Sequence, residues 1–507
     1  MFPSDLSSLL PLALSFAPFS ALWGPSAVSP TVRLDQATVY GTTNGPVTSY
    51  LNIPFAEPPY AIVLAIVTEP RPESEDCLNL NVLVPAGTAA DAKLPVIVFI
   101  YGGGFSVGEN TQYNGEVMVR RSVEMGQPII YTAVNYRLHA FGFLGGQEVK
   151  EAGIGNIGLH DQREGLRWIK KYIGAFGGDP NKVTIWGPSA GGLSVGSHLV
   201  ANDGDNEGLF RGAVLSCGTL LPTGDISDQQ RFFDGIAADT GCATATDKLA
   251  CLRIVPAENL TASAASIPNI LDYPGLSASQ WFPHADGSFL KEPVREAVLA
   301  GRIADVPFIA GGSLDEGTIF ATGAWNITTD AEFLEYMRDL YFPGSSSEEV
   351  APLLALYPND PAQGSPFGTG EENQLAPMYK RVSAFQGDFF FESQRRSLLT
   401  MRSDKQPAWM YLVQRGRSKG FGYSHGTDIQ SIARGEELTD YLIQFVATLD
   451  PNGGSGSNRM IPWPRYDPAA RQMLVVLDGE ERLAVERDDA REEALEFLAA
   501  LSLKYPL

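Results

Sequence analysis

Positive charge is scarce in this chain. Its 37 Lys and Arg face 59 Asp and Glu, a net charge of −22, and no basic run concentrates them. That balance excludes a nucleic-acid partner, because binding to a phosphate backbone depends on clustered cations that release counterions. Cysteine is scarce too, and four in 507 residues exclude a scaffold built on disulfides. Cys242 and Cys251 are close enough in sequence to clip a surface loop in an oxidising compartment. Beyond the amino terminus no apolar run reaches spanning length, which excludes an integral membrane span. Repeats and low-complexity linkers are missing as well, so residues 30–507 read as one large domain.

What is present is the composition of a globular protein, with 44% hydrophobic residues and the turns implied by 52 Gly and 35 Pro. Leu6 to Trp23 is apolar and uncharged, in keeping with a secretory signal and leader over residues 1–29 and an extracellular destination. Asn259-Leu260-Thr261 and Asn326-Ile327-Thr328 are glycosylation sequons that fit the same destination.

The order of elements predicts an α/β fold. Residues 31–53 read as short antiparallel strands. Leu94 to Tyr101 and Pro128 to Tyr136 are near-continuous apolar runs, typical of strands covered on both faces. Gly158 to Ile173 has helical apolar spacing, Val183 to Gly187 is another strand, and Leu193 to Val200 another helix. The segment 208–218, Val306 to Gly311 and Ala408 to Val413 continue the strands. Helical stretches follow at 229–239, 331–340, 379–401, 437–449 and 488–501. This is the pattern of a large, mostly parallel central sheet with helices on both faces and helical insertions.

Gly187-Pro188-Ser189-Ala190-Gly191 joins a strand to a helix, the context in which a serine projects from a strained turn as a nucleophile. Such a serine needs a base and a group to orient the base. Of five histidines, His139, His160 and His198 read as core or capping residues and His284 lies in a turn sequence. His425, in a Gly-flanked loop after the Ala408 to Val413 strand, is the candidate base. Asp315 and Glu316 follow the Val306 to Gly311 strand; either could serve as the acid, and Asp315 could equally cap a helix. The order Ser189, Glu316, His425 is that of α/β-hydrolases. Gly102-Gly103-Gly104 offers unobstructed N–H groups to an oxyanion. The competing phosphate reading lacks its lysine and its G-x-G-x-x-G.

The stretches PFAEPP, SEDCLNLNV, YGGGF, GLHDQREGLRWIKKYIGAFGGDPNKVTIWGPSAGG, SLDEGT, SHGTD and WPRYDP, spread along the chain, resemble the type-B carboxylesterase and lipase family. The resemblance implies an α/β-hydrolase fold and a serine hydrolase that cleaves small-molecule or lipid esters with no metal or cofactor. It implies Ser189 as nucleophile, Glu316 as acid and His425 as base, N–H groups of Gly103, Gly104 and Ala190 as oxyanion hole, and a Cys242–Cys251 disulfide. The alternatives are a non-catalytic, cholinesterase-like binding protein and an impaired product of an incomplete gene model.

Two departures bear on specificity. Pro188 stands where the family usually has Glu, which removes a carboxylate beside the nucleophile and points to an altered substrate preference. The segment between Pro59 and Ser74 is far shorter than in the family, leaving Cys77 without its usual partner. The short 60–73 loop implies a permanently open gorge or a lost exon. Cys217 stands where the family usually has serine and reads as a buried thiol.

Overall fold

The computed structural model describes residues 29–35, 37–56, 76–452, 457 and 459–507. The leader up to residue 28, the short 60–73 loop and Glu75 lie outside the described residues.

Thirteen strands are present among the described residues. β1 (Thr31–Leu34) and β2 (Ala37–Tyr40) form a separate antiparallel pair. The other eleven make one sheet: β3 (Thr42–Asn44), β4 (Val47–Pro54), β5 (Asn79–Pro85), β6 (Leu94–Ile100), β7 (Ile130–Val134), β8 (Gly178–Pro188), β9 (Gly212–Ser216), β10 (Phe308–Ser313), β11 (Ala408–Gln414), β12 (Gln472–Leu477) and β13 (Leu483–Arg487). Their spatial order is β13-β12-β11-β10-β9-β8-β6-β7-β5-β4-β3. From β7 through β12 neighbours run parallel, and antiparallel strands close both ends.

Burial explains the parallel centre. Every residue of β7, β9 and β10 is buried, as strands sandwiched between helical layers must be. Exposure explains the edges: β3 is exposed throughout, and β13 keeps only Leu483 inside. The helix expected at 158–173 spans Ile157–Tyr172 and turns Leu159, Leu166, Trp168 and Ile169 inward. The helix expected at 379–401 is interrupted by a wider turn at Asp388–Glu392, between Tyr379–Gly387 and Ser393–Arg402. The helix expected at 488–501 starts later, at Glu492, and ends at Lys504. β12 and β13, where no strands were expected, precede it.

One consequence governs the site. β8, β9, β10 and β11 are consecutive parallel neighbours, so the loops leaving their carboxyl ends share one edge of the sheet. Those loops carry Ser189, Cys217, Glu316 and His425. In an open parallel sheet, loops at the carboxyl ends of strands form the crevice where ligands bind.

Candidate active site

Ser189 stands between β8 and the helix Ala190–Val200 with φ 55° and ψ −125°, a conformation that L-residues rarely adopt. The turn persists because its surroundings hold it. Ser189 N–H donates to Ser216 O at 2.8 Å and Leu193 N–H to Ser189 O at 2.9 Å. Gly102 backs the turn so closely that a Cβ there would lie 2.6 Å from Pro188 O and 2.9 Å from Ser189 Cβ. Gly103 and Gly104 follow with φ of 115° and 62°. Among the described residues the N–H groups of Gly103, Gly104 and Ala190 meet no protein acceptor, as donors reserved for a ligand would. Ile270 Cδ1 closes over Gly104, 2.7 Å from where a Cβ would stand, so an apolar side chain walls the glycine loop.

Glu316 and His425 meet across the ends of β10 and β11, with Glu316 Oε2 at 2.5 Å from His425 Nδ1. An ionised carboxylate only accepts, so Nδ1 carries the proton and Nε2 presents its lone pair. The second carboxylate oxygen, Oε1, accepts from Ser313 N–H at 2.6 Å. Rings pack both flanks of the imidazole: Phe320 edge-on at 5.1 Å and Phe391 at 4.9 Å between centroids. The Glu316 side chain is 1% exposed and that of His425 10%, so the imidazole keeps one opening to solvent. Among the described residues no hydrogen bond joins the Ser189 hydroxyl to His425. Such contacts are often loose in free enzymes and tighten with substrate.

Beneath this pair lies a buried network that the sequence did not reveal. Cys217 is 1% exposed, and its thiol donates to Asp428 Oδ1 at 2.9 Å. The Tyr411 hydroxyl lies 2.7 Å from Asp428 Oδ2 and 2.8 Å from Ser216 Oγ, which also receives Trp186 Nε1–H at 3.1 Å. Burial pushes the Asp428 carboxyl up from its ordinary range, and the Glu316 charge adds to the effect. Cys217, Glu316 and His425 offer donor atoms within 4.8 Å of one another, enough in number for a metal ion. Those donors are engaged with protein partners, the thiol with Asp428 and the carboxylate with the imidazole. Asp428 lies in the first turn of the helix Thr427–Ala433, and its partner Cys217 is 211 residues away, so nothing in the local sequence marked it.

The other candidates separate cleanly. Asp315, open as acid or cap, takes other partners: its carboxylate accepts from Ser365, Phe367 and Tyr423, while the carboxylate on the imidazole is that of Glu316. His198 is fully buried against Gln162 Oε1 at 3.0 Å, and His139 stacks on Trp281 at 4.4 Å. His160 packs edge-on against Phe289, and His284 bonds Gln229 and Phe282 in the interior. Cys242 and Cys251 are disulfide-bonded, and Cys77 and Cys217 are free. Asn326 is exposed in a loop, while Asn259 is exposed within the helix Ala257–Ala265. No helix among the described residues is long and apolar enough to cross a membrane.

Known proteins show the same arrangement of chain. The profile of the carboxylesterase family matches residues 64–497. Secreted triacylglycerol lipase LIP1 of Gibberella zeae is 34% identical over 547 aligned positions, covering 96% of this chain and 92% of the lipase. Lipase 4 of Diutina rugosa is 39% identical over 411 positions, 79% of this chain and 74% of that one. The crystal structure of Aspergillus niger EstA superposes with a TM-score of 0.82 at 27% identity, covering 95% of this chain and 99% of EstA.

Proposed function

The chain belongs to the carboxylesterase family and is a carboxylic ester hydrolase, and from that premise we propose that Ser189, His425 and Glu316 are its catalytic triad and that it acts on fatty-acid esters outside the cell. Ser189 Oγ attacks the ester carbonyl while His425 Nε2 takes its proton. Glu316 holds the imidazole in the required tautomer and stabilises the imidazolium. The N–H groups of Gly103, Gly104 and Ala190 receive the oxyanion, each such donor contributing about 10²- to 10³-fold in rate. His425 then returns the proton to the departing alcohol, and water, activated by the same imidazole, releases the acid from Ser189.

The observation that carries this reading is the 2.5 Å contact between Glu316 and His425, on the sheet edge where Ser189 holds its strained turn. A fatty-acid ester as substrate follows the names of relatives, one a triacylglycerol lipase, and the Ile270 wall over the glycine loop suits an apolar chain. Secretion follows the names of LIP1 and of secreted lipase 1 of Botryotinia fuckeliana, the latter 40% identical over 414 positions. The disulfide and the exposed Asn326 sequon agree with it. Residues 30–507 form one catalytic domain in this reading.

Turnover of a short p-nitrophenyl ester and of tributyrin tests the proposal. Ser189→Ala lowers kcat by about 10⁴-fold or more with an unchanged melting curve. A fluorophosphonate probe labels Ser189 in the wild type alone. Equal turnover by the variant would sink the assignment.

A further inference from the structure

Asp315 has no role in the chemistry described so far, yet its carboxylate accepts three hydrogen bonds in the interior. It is fully buried, and among the described residues no Lys or Arg forms an ion pair with it. Its three donors come from two other segments. Oδ1 accepts from the Ser365 hydroxyl and from Phe367 N–H, both at 2.8 Å, and Oδ2 accepts from Tyr423 N–H at 2.9 Å. Hydrogen bonds to an ionised acceptor are about twice as strong as neutral ones, so the carboxylate ties those segments firmly.

The segment that matters is the one ending in His425. Around Asp315 the loop that carries Glu316 grips the base loop at successive points. Asp315 N–H donates to Tyr423 O at 3.0 Å, and Thr318 Oγ1 lies 2.9 Å from Phe421 O. The Tyr379 hydroxyl spans Gly420 O at 3.0 Å and Thr318 O at 3.1 Å. Gly422, at φ +64°, passes so near the carboxylate that a Cβ would stand 2.2 Å from Oδ2. The gripped residues end two positions before the imidazole, and Asp315 is the immediate neighbour of Glu316.

We propose that Asp315 is a positioning residue for ester hydrolysis: its carboxylate locks the loop carrying His425 to the loop carrying Glu316 and so sets the alignment of the imidazole. The inference rests on the triad reading above. Asn at this position cannot serve all three donors, because its amide nitrogen must face at least one N–H, so one of the two ties breaks. A misplacement of the base by about 1 Å is enough to cost up to about 10²-fold in rate.

The test uses the full chain and three measurements: kcat and KM on a short p-nitrophenyl ester, a melting curve, and the downfield proton resonance of His425 Nδ1–H. Asp315→Asn is expected to melt cooperatively, to lose about tenfold or more in kcat with KM within about twofold, and to lose or shift the downfield resonance. Ser365→Ala, which leaves the base loop tied, keeps both kcat and the resonance. If Asp315→Asn does not fold, Thr318→Val replaces it and removes the hydroxyl that bridges Phe421 O and Asp315 O, with the same direction expected. A folded variant with unchanged kcat and resonance, or one that changes KM alone, overturns the inference. Wild-type protein without esterase activity defeats the triad reading instead, and the resonance still decides the role of Asp315.

Discussion

On the β8 side of the sheet edge Ser189 is held by backbone: a left-handed turn, two main-chain hydrogen bonds and a glycine loop pressed against it. On the β10–β11 side Glu316 and His425 are held by side chains: a short carboxylate–imidazole contact, two flanking phenyl rings and the clamp through Asp315. The two halves therefore fail in different ways. The backbone-built half admits no extra atom where the chain approaches itself, whereas the side-chain-built half admits isosteric shapes but not the loss of a donor or acceptor.

The largest effect that sharpens this contrast is on the side-chain half. Glu316→Gln keeps the shape and removes the charge that fixes the tautomer, so kcat falls by about 10³- to 10⁴-fold. The melting temperature stays within a few degrees, as steady-state kinetics and calorimetry will register. An amide that supports normal turnover would break the contrast.

A smaller loss follows from adding a methyl group to the backbone half. Gly102→Ala places a Cβ 2.6 Å from Pro188 O, and the elbow or the glycine loop must move. Misaligned oxyanion donors cost about 10²- to 10³-fold in kcat. Here, unlike Glu316→Gln, the melting temperature falls too, because the turn is part of the packed sheet edge. Normal stability and turnover in this variant would show that the glycine loop has room to yield.

The smallest effect is on stability with pH. The backbone N–H of His139 donates to Phe105 O in the glycine-loop region, and His284 lies two residues after Phe282, whose ring meets Phe105. Burial holds both imidazoles neutral, each with its pKa lowered to about 4 from the ordinary 6.5. An unfolded chain takes up those protons first as pH falls. The stabilisation is therefore complete above about 6.5 and is lost as pH drops through that value toward about 4. Melting curves between pH 7.5 and 4.5 should decline over this window, and His139→Gln should flatten the decline. A melting temperature constant from pH 7 to pH 5 would break the link between this half and its buried histidines.

The legibility of the molecule followed the same division. Apolar runs such as Leu94 to Ile100 identified the strands buried on both faces, because burial on two sides leaves no choice of residue. β13, with Glu486 and Arg487 on an exposed edge, carries no such signature, and β12 beside it has an apolar run of only five residues, Met473 to Leu477. The elbow was visible because a tight strand-to-helix turn demands small residues at fixed spacing. His425 stood out for its glycine-flanked loop. Asp428 and the bridging of Asp315 were not visible, since their partners lie as far apart in sequence as Cys217 and Asp428, or Asp315 and Ser365.

From the sequence came the α/β class, the strand-to-helix turn at Ser189 and the chain order Ser189, Glu316, His425, while the family likeness implied the pairing of Cys242 with Cys251 that the structure contains. Each of these is a local demand, met by residue type at a fixed spacing. It took the folded chain to set Glu316, and not Asp315, against His425. Adjacent residues at a strand end point to different sides, so one carboxylate reached the imidazole and the other became the tie between two loops. That choice was made in the loops beyond the strand ends, where Asp315 pairs with the Tyr423–Ser424 stretch and Glu316, one residue on, meets His425.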